Sequence, residues 1–280
     1  FGYNAGGGAL SITSSGAVTS ATDIGIYARN FGTDLTINTA SVTGLRNGIY
    51  AYNYASGALS ITSTGTVTGT NYDGIYAYNE GTDLTINAAS VSGGGRGIFA
   101  LNYGGGTLSV TSTGTVTSGT GIRYSGIVAL NYGVDLIINA VNVSGSGNGV
   151  FAVNRGSGAL SINTSGTVYA YNYDGIFADN TRSVGTDLLI NAASVSAGHH
   201  GINALNNGTG VLTITATGTV VGSDYEGILA RNYGTGTDLT INATTVSGGY
   251  EGIYANNSGD GALSITSTGA VTGGTNHSGI

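Results

Sequence analysis

The chain has 280 residues, of which 52 are glycine and only 8% are charged, and its formal net charge is −7. It contains no proline, cysteine, methionine or tryptophan, so a disulfide framework and thiolate metal or redox sites are excluded. The acidic balance argues against nucleic-acid or anionic-membrane binding, and no apolar run approaches the ~18 residues of a transmembrane helix. The missing prolines indicate a backbone in which almost every N–H is needed for pairing.

The first predicted element of each repeat is a short strand with the pattern Gly-Ile-x-Ala-x-Asn. Its opening Gly-Ile dipeptide, once Gly-Val, recurs at intervals of 23 to 29 residues along the whole chain. The glycines that open the strands are Gly25, Gly48, Gly74, Gly97, Gly126, Gly149, Gly175, Gly201, Gly227, Gly252 and Gly279. A period of about 25 residues that is sustained over a chain predicts a repeat architecture.

Two unit types follow this strand in alternation. One reads G-T-D-L-T-I-N-A-A-S-V-S-G at 81–93, and the other reads G-A-L-S-I-T-S-T-G-T-V-T-G at 57–69. In both, aliphatic residues alternate with small polar ones, which is typical of a strand with one buried face. We therefore predict a second strand, Leu-x-Ile, and a third strand centred on Val67 or Val91, and no segment shows a helical stripe.

Three short strands per unit, separated by turns of Gly, Asn, Asp and Ser, predict an all-β fold. We expect a single-stranded parallel β-solenoid of about 11 coils, continuous over 1–280, and a right-handed β-helix because right-handed crossovers dominate parallel connections. Extra residues at 120–124 and 181–184 lengthen two linkers between strands, where a solenoid tolerates insertions. The chain starts and stops inside a coil, so we expect it to be a fragment of a longer repetitive protein.

An asparagine closes the first strand of each coil and is predicted to face inward. In-register asparagines can bond side chain to side chain between coils and satisfy backbone groups at the corner. We expect a structural ladder, and the alternative is an asparagine-lined ligand site. The predicted ladder comprises Asn30, Asn53, Asn79, Asn102, Asn131, Asn154, Asn180, Asn206, Asn232 and Asn257.

The outward side of the same strand carries aromatic residues in most coils. A contiguous exposed apolar patch of several hundred Å² marks an interaction site, whereas aromatic stacking that only stiffens the sheet is the alternative. We expect an interface with another copy of the rod, and a sugar surface as the second choice. The predicted interaction stripe comprises Tyr27, Tyr50, Tyr76, Phe99, Phe151, Phe177 and Tyr254.

The outward side of the second strand presents columns of Ser, Thr and Asn. A flat array of hydroxyl groups could order water, which makes an ice-binding solenoid a third hypothesis. The columns mix residue types, and Ile137 and Leu189 interrupt them.

The turn before each Gly-Ile contains the sharpest catalytic candidates, Asp174, His200, Glu226 and Glu251, on four successive coils about 5 Å apart. Two carboxylates at about 5–5.5 Å are the pair that a retaining glycosidase uses, and a histidine between them could serve as a base. Because turns are normally solvated, we expect these side chains to be a solvent-exposed column and the protein not to be an enzyme.

The aspartate of the G-T-D-L unit recurs in alternate coils only, which places successive copies about 10 Å apart, too far for two of them to share one calcium ion. We predict that they accept hydrogen bonds from turn amides, and we expect neither a metal nor a cofactor. These residues are Asp34, Asp83, Asp135, Asp187 and Asp238.

The two alternating units, with G-I-Y-A-Y-N between them, resemble the passenger repeats of large bacterial autotransporters over essentially the whole chain. The resemblance implies a right-handed β-helical stalk on the bacterial cell surface, exported through a C-terminal barrel. We therefore expect an extracellular structural and adhesive segment that assembles with itself, laterally or end to end, and whose other partners are surface glycans or host and neighbouring cells. Nucleic-acid binding and direct membrane insertion are not expected. A polysaccharide-binding or polysaccharide-degrading β-helix is the alternative.

Overall fold

A computed structural model of the protein describes residues 1–180 and 184–280. The linker insertion expected at 181–184 therefore lies, apart from Val184, outside the described residues. The chain winds into eleven coils, each of which contributes one strand to a first sheet and one or two strands to a second sheet. We number the coils 1 to 11 from the N-terminus.

The first sheet consists of the predicted Gly-Ile-x-Ala-x-Asn strands, one from each coil. Neighbouring strands are parallel and pair without any shift, so that Ile75 lies beside Ile98 and Asn79 beside Asn102. In coil order the strands are Gly2–Asn4, Ile26–Asn30, Ile49–Asn53, Ile75–Asn79, Ile98–Asn102, Ile127–Asn131, Val150–Asn154, Ile176–Asn180, Ile202–Asn206, Ile228–Asn232 and Ile253–Asn257.

The second sheet contains the predicted second and third strands, which are separate only in coils 1, 2 and 11. In those coils they are Leu10–Ser14 and Val18–Ser20, Leu35–Thr39 and Val42–Gly44, and Leu263–Ser267 and Val271–Thr272. In coils 3 to 10 one long strand replaces them: Leu59–Gly69, Leu84–Gly93, Leu108–Thr117, Leu136–Gly145, Leu160–Ala170, Leu188–Ala197, Leu212–Gly222 and Leu239–Gly248.

The long strands differ by one residue between the two unit types, and a register shift absorbs the difference. Between Leu and Val, the segment Leu59–Val67 is one residue longer than Leu84–Val91. The pairing accordingly shifts between Ala88 and Ser90, which is a β-bulge that leaves one residue unpaired. The backbone ladder continues on both sides of the bulge, so the predicted turn between the second and third strands does not break the strand.

All strand pairs are parallel, and the predicted β-solenoid of about 11 coils with a spacing of about 25 residues is confirmed. The described residues contain no α-helix, and hence no helical segment that could span a bilayer. The right-handed sense of winding stays a prediction.

The core is a set of aliphatic columns that run through the coils. Coil 4, for example, buries Ile75, Ala77, Leu84, Ile86 and Val91, each at most 1% exposed. Each large aliphatic side chain contributes roughly 1.5–3 kcal/mol when it is buried. Ordering the backbone of the 25 residues in one coil costs at least ~25 kcal/mol in conformational entropy. A single coil cannot meet that cost, so the stability comes from the contacts between neighbouring coils.

Glycine opens the first strand because the backbone there packs directly on the neighbouring coil. A Cβ added at Gly74 would lie 2.8 Å from the carbonyl oxygen of Gly97 and would overlap Cγ1 of Val91. Any other residue would push the two coils apart. This explains why the Gly-Ile dipeptide is the most regular feature of the sequence.

The two unit types alternate because one supplies a carboxylate that the other needs. The Asp83 carboxylate accepts a hydrogen bond of 2.7 Å from the backbone N–H of Thr107 in the next coil, and the preceding Gly106 leaves room for the carboxylate. The prediction that these aspartates bind turn amides is confirmed. The five pairs are Asp34–Ala58, Asp83–Thr107, Asp135–Ala159, Asp187–Val211 and Asp238–Ala262, at 2.7–2.9 Å.

Candidate functional site: the aromatic face of the first sheet

The asparagines that close the first strands lie together in one buried column. Each side-chain amide donates to the side-chain oxygen of the asparagine in the next coil, with ten such bonds of 2.7–3.3 Å from Asn4 to Asn257. Asn79 also donates to the carbonyl oxygens of Thr82 and Asp83 at its own corner. Because these amides are already occupied, the column is built to join coils and leaves little capacity for a ligand.

The predicted stripe residues project outward from the first sheet, and the four in coils 2 to 5 stack on one another. Ring centroids are 5.6 Å apart for Tyr27 and Tyr50, 4.7 Å for Tyr50 and Tyr76, and 5.0 Å for Tyr76 and Phe99. The interplanar angles are 16° to 29°. The ring spacing matches the spacing of neighbouring strands, about 4.8 Å, so the strand register itself places the rings in contact.

The remaining stripe residues do not continue this stack. Val128 separates it from a second stack, in which Phe151 and Phe177 lie 4.9 Å apart. Farther along, the residues in register with Phe177 are an asparagine and a leucine before the row reaches Tyr254, which is 39% exposed. The structure thus brings four of the seven stripe residues into one stack, two into another, and leaves Tyr254 apart.

Neighbouring rows on the same sheet enlarge the first stack into one network. Tyr52 contacts Tyr50, Tyr54, Tyr76 and Tyr78 at centroid distances of 4.9–5.4 Å. We call the connected set the aromatic face. It comprises Phe1, Tyr3, Tyr27, Phe31, Tyr50, Tyr52, Tyr54, Tyr76, Tyr78, Phe99, Tyr103 and Tyr132.

Stacking along the solenoid axis determines what the aromatic face shows to solvent. In the Tyr27 to Phe99 stack the flat sides of the rings are covered by the rings of adjacent coils, so edges and hydroxyl groups remain accessible. The Tyr50 and Tyr52 hydroxyl oxygens are 2.8 Å apart. Burial raises the pKa of Tyr52 to about 12 and also raises the pKa of Tyr50. These phenols are therefore neutral at physiological pH and present hydrogen-bonding groups among apolar ring edges.

Arginines pack against the rings of the aromatic face. The Arg29 guanidinium carbon lies 4.8 Å from the Phe31 ring centroid, and that of Arg96 lies 3.8 Å from the Phe99 centroid. Both distances are in the range of cation–π attraction, which contributes roughly 0.5–1 kcal/mol at exposed sites. The aromatic face is thus bordered by positive charge in a chain whose net charge is −7.

The turn column brings together three of its four catalytic candidates. The imidazole of His200 lies between two carboxylates, with Nδ1 2.8 Å from an Asp174 oxygen and Nε2 3.0 Å from a Glu226 oxygen. Asn203 donates to the second Asp174 oxygen at 3.0 Å, and the Tyr225 ring stacks on the imidazole at 5.1 Å. We call Asp174, His200 and Glu226 the histidine bridge.

The prediction that this column is solvated is wrong for the histidine bridge. The side chains of Asp174, His200 and Glu226 are only 11–17% exposed, because consecutive coils pack them against each other and Tyr225 covers the imidazole. Both ring nitrogens are engaged by carboxylates, so neither is available as a base. Glu251 does not join the bridge, and its Oε2 has no hydrogen-bond partner within residues 1–180 and 184–280.

The outer side of the second sheet carries a groove of about 640 Å³ near the bulge, over coils 5 to 9. Inside it, Asn163 donates to Asn139 at 3.0 Å and Asn191 donates to Asn163 at 2.8 Å. These amides bond to each other and interrupt the threonine rows, so the groove lacks the regular hydroxyl array that the ice-binding hypothesis requires. In the part of the chain that the structure describes, no group of three or more His, Asp or Glu could hold a metal ion.

Comparisons with protein-family models, with curated proteins and with solved structures found no match. The fold is therefore established by the coil geometry, and the resemblance to autotransporter passengers depends on the repeat units alone.

Proposed function

We propose that the chain is a rigid structural and adhesive segment of an extracellular β-solenoid, which associates side by side with a second copy of itself through the aromatic face. The stiffness of the rod is supported by ladders that continue from coil 1 to coil 11, a length of about 50 Å. The ten asparagine bonds add a polar column inside the rod. The extracellular location is supported by the resemblance to passenger repeats.

The single observation that carries the proposal is the spacing of the stacked rings. The rows Tyr27, Tyr50, Tyr76 and Phe99 repeat every 4.7–5.6 Å along the rod. Ring edges with this spacing form ridges across the rod, and a partner with the same spacing can contact every ridge along the whole length of the face. A second copy of the chain has that spacing, and sheets with identical repeats pair face to face in steric zippers.

Lateral association is tested by sedimentation equilibrium of the chain and of a variant that carries Tyr50→Ser, Tyr76→Ser and Phe99→Ser. We expect the unchanged chain to dimerise and the variant to remain monomeric, because three ridges are removed. Circular dichroism should show the same β-sheet signal for both, since the three rings lie outside the core.

A matched control carries Tyr169→Ser, Tyr171→Ser and Tyr250→Ser. These rings are 43–67% exposed and lie outside the aromatic face, so the control should dimerise like the unchanged chain. An unchanged chain that stays monomeric at high micromolar concentration, or equal weakening in both triple variants, would contradict the proposal.

A further inference from the structure

Two adjoining cavities of about 330 and 430 Å³ lie at the border of the aromatic face, along the corner where one coil passes into the next. They share Arg46, Asn47 and Tyr50. Each volume lies within the range of about 300–1,000 Å³ that is usual for ligand sites. We call the two cavities together the arginine groove, because Arg29, Arg46, Arg96 and Arg123 line them.

The arginine groove concentrates positive charge in an acidic protein. It holds four of the seven basic residues of the chain. Two carboxylates lie beside it: Asp73 binds Arg96 through bonds of 2.7 and 3.0 Å, and Asp23 lies 3.6 Å from Arg46. Among the described residues no carboxylate pairs with Arg123. The groove therefore carries more positive than negative charge.

One wall of the groove is built by the insertion that breaks the coil length. The interval from Gly97 to Gly126 is the longest between two Gly-Ile dipeptides, and its extra residues at 120–124 contribute Arg123 and Tyr124 to the larger cavity. The insertion is held in place by its own hydrogen bonds, since the Tyr124 carbonyl accepts from the Ser118 hydroxyl at 2.8 Å and from the Gly147 N–H at 2.7 Å. The departure from the repeat thus completes the groove.

We propose that the arginine groove binds an acidic polysaccharide, a linear glycan with a carboxylate on its sugar rings. Arg46 and Arg96 lie two coils apart and Arg123 one coil farther, so their charges are spaced by about 10 and about 5 Å along the rod. Charges distributed along the rod fit an extended polyanion, and the guanidinium fork matches a carboxylate, as the bidentate Arg96–Asp73 pair shows.

The same cavities contain groups that suit the hydroxyls of a sugar. The larger cavity is lined by Asn47, which carries an amide, and by four tyrosines, Tyr50, Tyr72, Tyr76 and Tyr124. Hydroxyl and amide groups in this number distinguish a glycan from a simple inorganic anion, because each can donate or accept a hydrogen bond. Tyr50 and Tyr76 belong to both the arginine groove and the aromatic face, so the glycan and a second copy of the chain would compete for them.

The test measures binding of polygalacturonate to the full chain by isothermal titration calorimetry, beside neutral dextran and polyglutamate. The variant Arg46→Gln, Arg123→Gln removes two exposed charges outside the core. We expect polygalacturonate to bind, dextran not to bind, and the double variant to bind at least tenfold more weakly. The control Arg231→Gln removes a charge near Tyr254, outside the groove, and should bind like the unchanged chain.

Several results would overturn the inference: absence of polygalacturonate binding, equal weakening by Arg231→Gln, or full binding by the double variant. Equal or tighter binding of polyglutamate would point to an acidic protein as the ligand and would also overturn it. Sedimentation of the chain without glycan separates this inference from the proposed function, because a chain that is monomeric before the glycan is added and then binds it supports the groove and contradicts lateral pairing.

Discussion

Coils 2 to 5 and coils 7 to 10 have the same interior and different outer surfaces. In Ile75–Asn79 and Ile202–Asn206, the isoleucine, alanine and asparagine occupy the same three inward positions and are fully buried. Outward, the first strand presents two tyrosines, whereas the second presents Asn203 and Leu205. An inward side chain is packed against the coils before and after it, so its shape is fixed, whereas an outward one is limited only by the coil spacing. Functional differences must therefore lie in the outer columns.

The two regions also join their coils by different outer contacts. The N-terminal region uses ring stacking, as in the pair Tyr50 and Tyr76 at 4.7 Å. The C-terminal region has one stacked pair on this sheet, Phe151 and Phe177, and adds the histidine bridge, which links three successive coils through the two bonds of the His200 imidazole.

The asparagine ladder should be equally important in both regions. Asn79→Ala and Asn206→Ala each remove a buried amide that bonds to both neighbouring coils and to carbonyl groups at its corner. Leaving these partners unsatisfied should lower the free energy of unfolding by about 3–5 kcal/mol, which urea unfolding measures.

The control for the ladder is Asn87→Ala, which changes an exposed asparagine on the outer side of the second sheet and should stay within about 0.5 kcal/mol. If Asn206→Ala had as little effect as the control, the interiors of the two regions would not be equivalent.

A deletion of two successive coils should be tolerated better than a deletion of one coil, because only the first keeps the two unit types in alternation. Deleting 81–132 keeps the alternation of the two unit types, whereas deleting 81–103 places Leu59–Gly69 beside Leu108–Thr117, two strands of the same type. The second deletion removes Asp83 and leaves the Thr107 amide without its acceptor, which should cost about 1–3 kcal/mol more than the paired deletion. Equal urea midpoints for the two deletions would show that the alternation is not needed.

Removing the imidazole should weaken the C-terminal region in particular. His200→Gln leaves two poorly exposed carboxylates without their shared partner, which should cost about 2 kcal/mol. His199→Gln is the matched control, because that imidazole makes only edge contacts with Tyr173 and Tyr225, and it should cost about 0.5 kcal/mol or less. Hydrogen exchange should show the extra opening of the first variant in coils 7 to 10, and an equal effect in coils 2 to 5 would contradict the assignment.

Asp179 should make stability depend on pH. It occupies the outward position that Val153 and Leu205 hold in the neighbouring coils, and burial raises its pKa to about 6, although Arg155 opposes the shift. Because the folded chain then binds the proton more tightly than the unfolded chain, this contribution is present below about pH 4 and is lost as the pH rises through 6.

The loss in unfolding free energy as Asp179 ionises should be on the order of 1 kcal/mol or less, since the carboxyl group is partly solvated. Asp179→Asn should remove it, so the variant should gain stability relative to the unchanged chain between pH 4 and pH 7. A difference in urea midpoint that is constant over this range would show that Asp179 is not responsible.

Most of the fold could be predicted from the sequence because the same pattern of glycines and alternating aliphatic residues recurs in each coil. Period-two alternation fixed the inward residues, and equal spacing of Gly-Ile dipeptides fixed which strands pair. The continuity of the second and third strands could not be predicted, because a bulge such as that between Ala88 and Ser90 preserves the ladder through residues that resemble a turn.

The candidate sites were less predictable. The inward position of the asparagines followed from alternation, but the burial of His200 depends on Tyr225, which covers it from a different position of the repeat. The arginine groove was missed, because Arg46, Arg96 and Arg123 occupy unequal positions within their units and meet only through the packing of the corners. The sequence feature that pointed to the groove was the long interval between Gly97 and Gly126, which contains Arg123.

The most direct test of the account is whether the coils stack in the register that forms the columns. The chain lacks cysteine, so any intramolecular disulfide in a variant with two introduced cysteines must join those two residues. Thr85→Cys with Ser109→Cys joins residues that are directly paired on the outer side of the second sheet, at a separation that permits a disulfide. We predict that this pair forms an intramolecular disulfide on mild oxidation and that Thr85→Cys with Thr111→Cys, two residues out of register, does not. Equal cross-linking of the two pairs, or cross-linking of the second alone, would contradict the account.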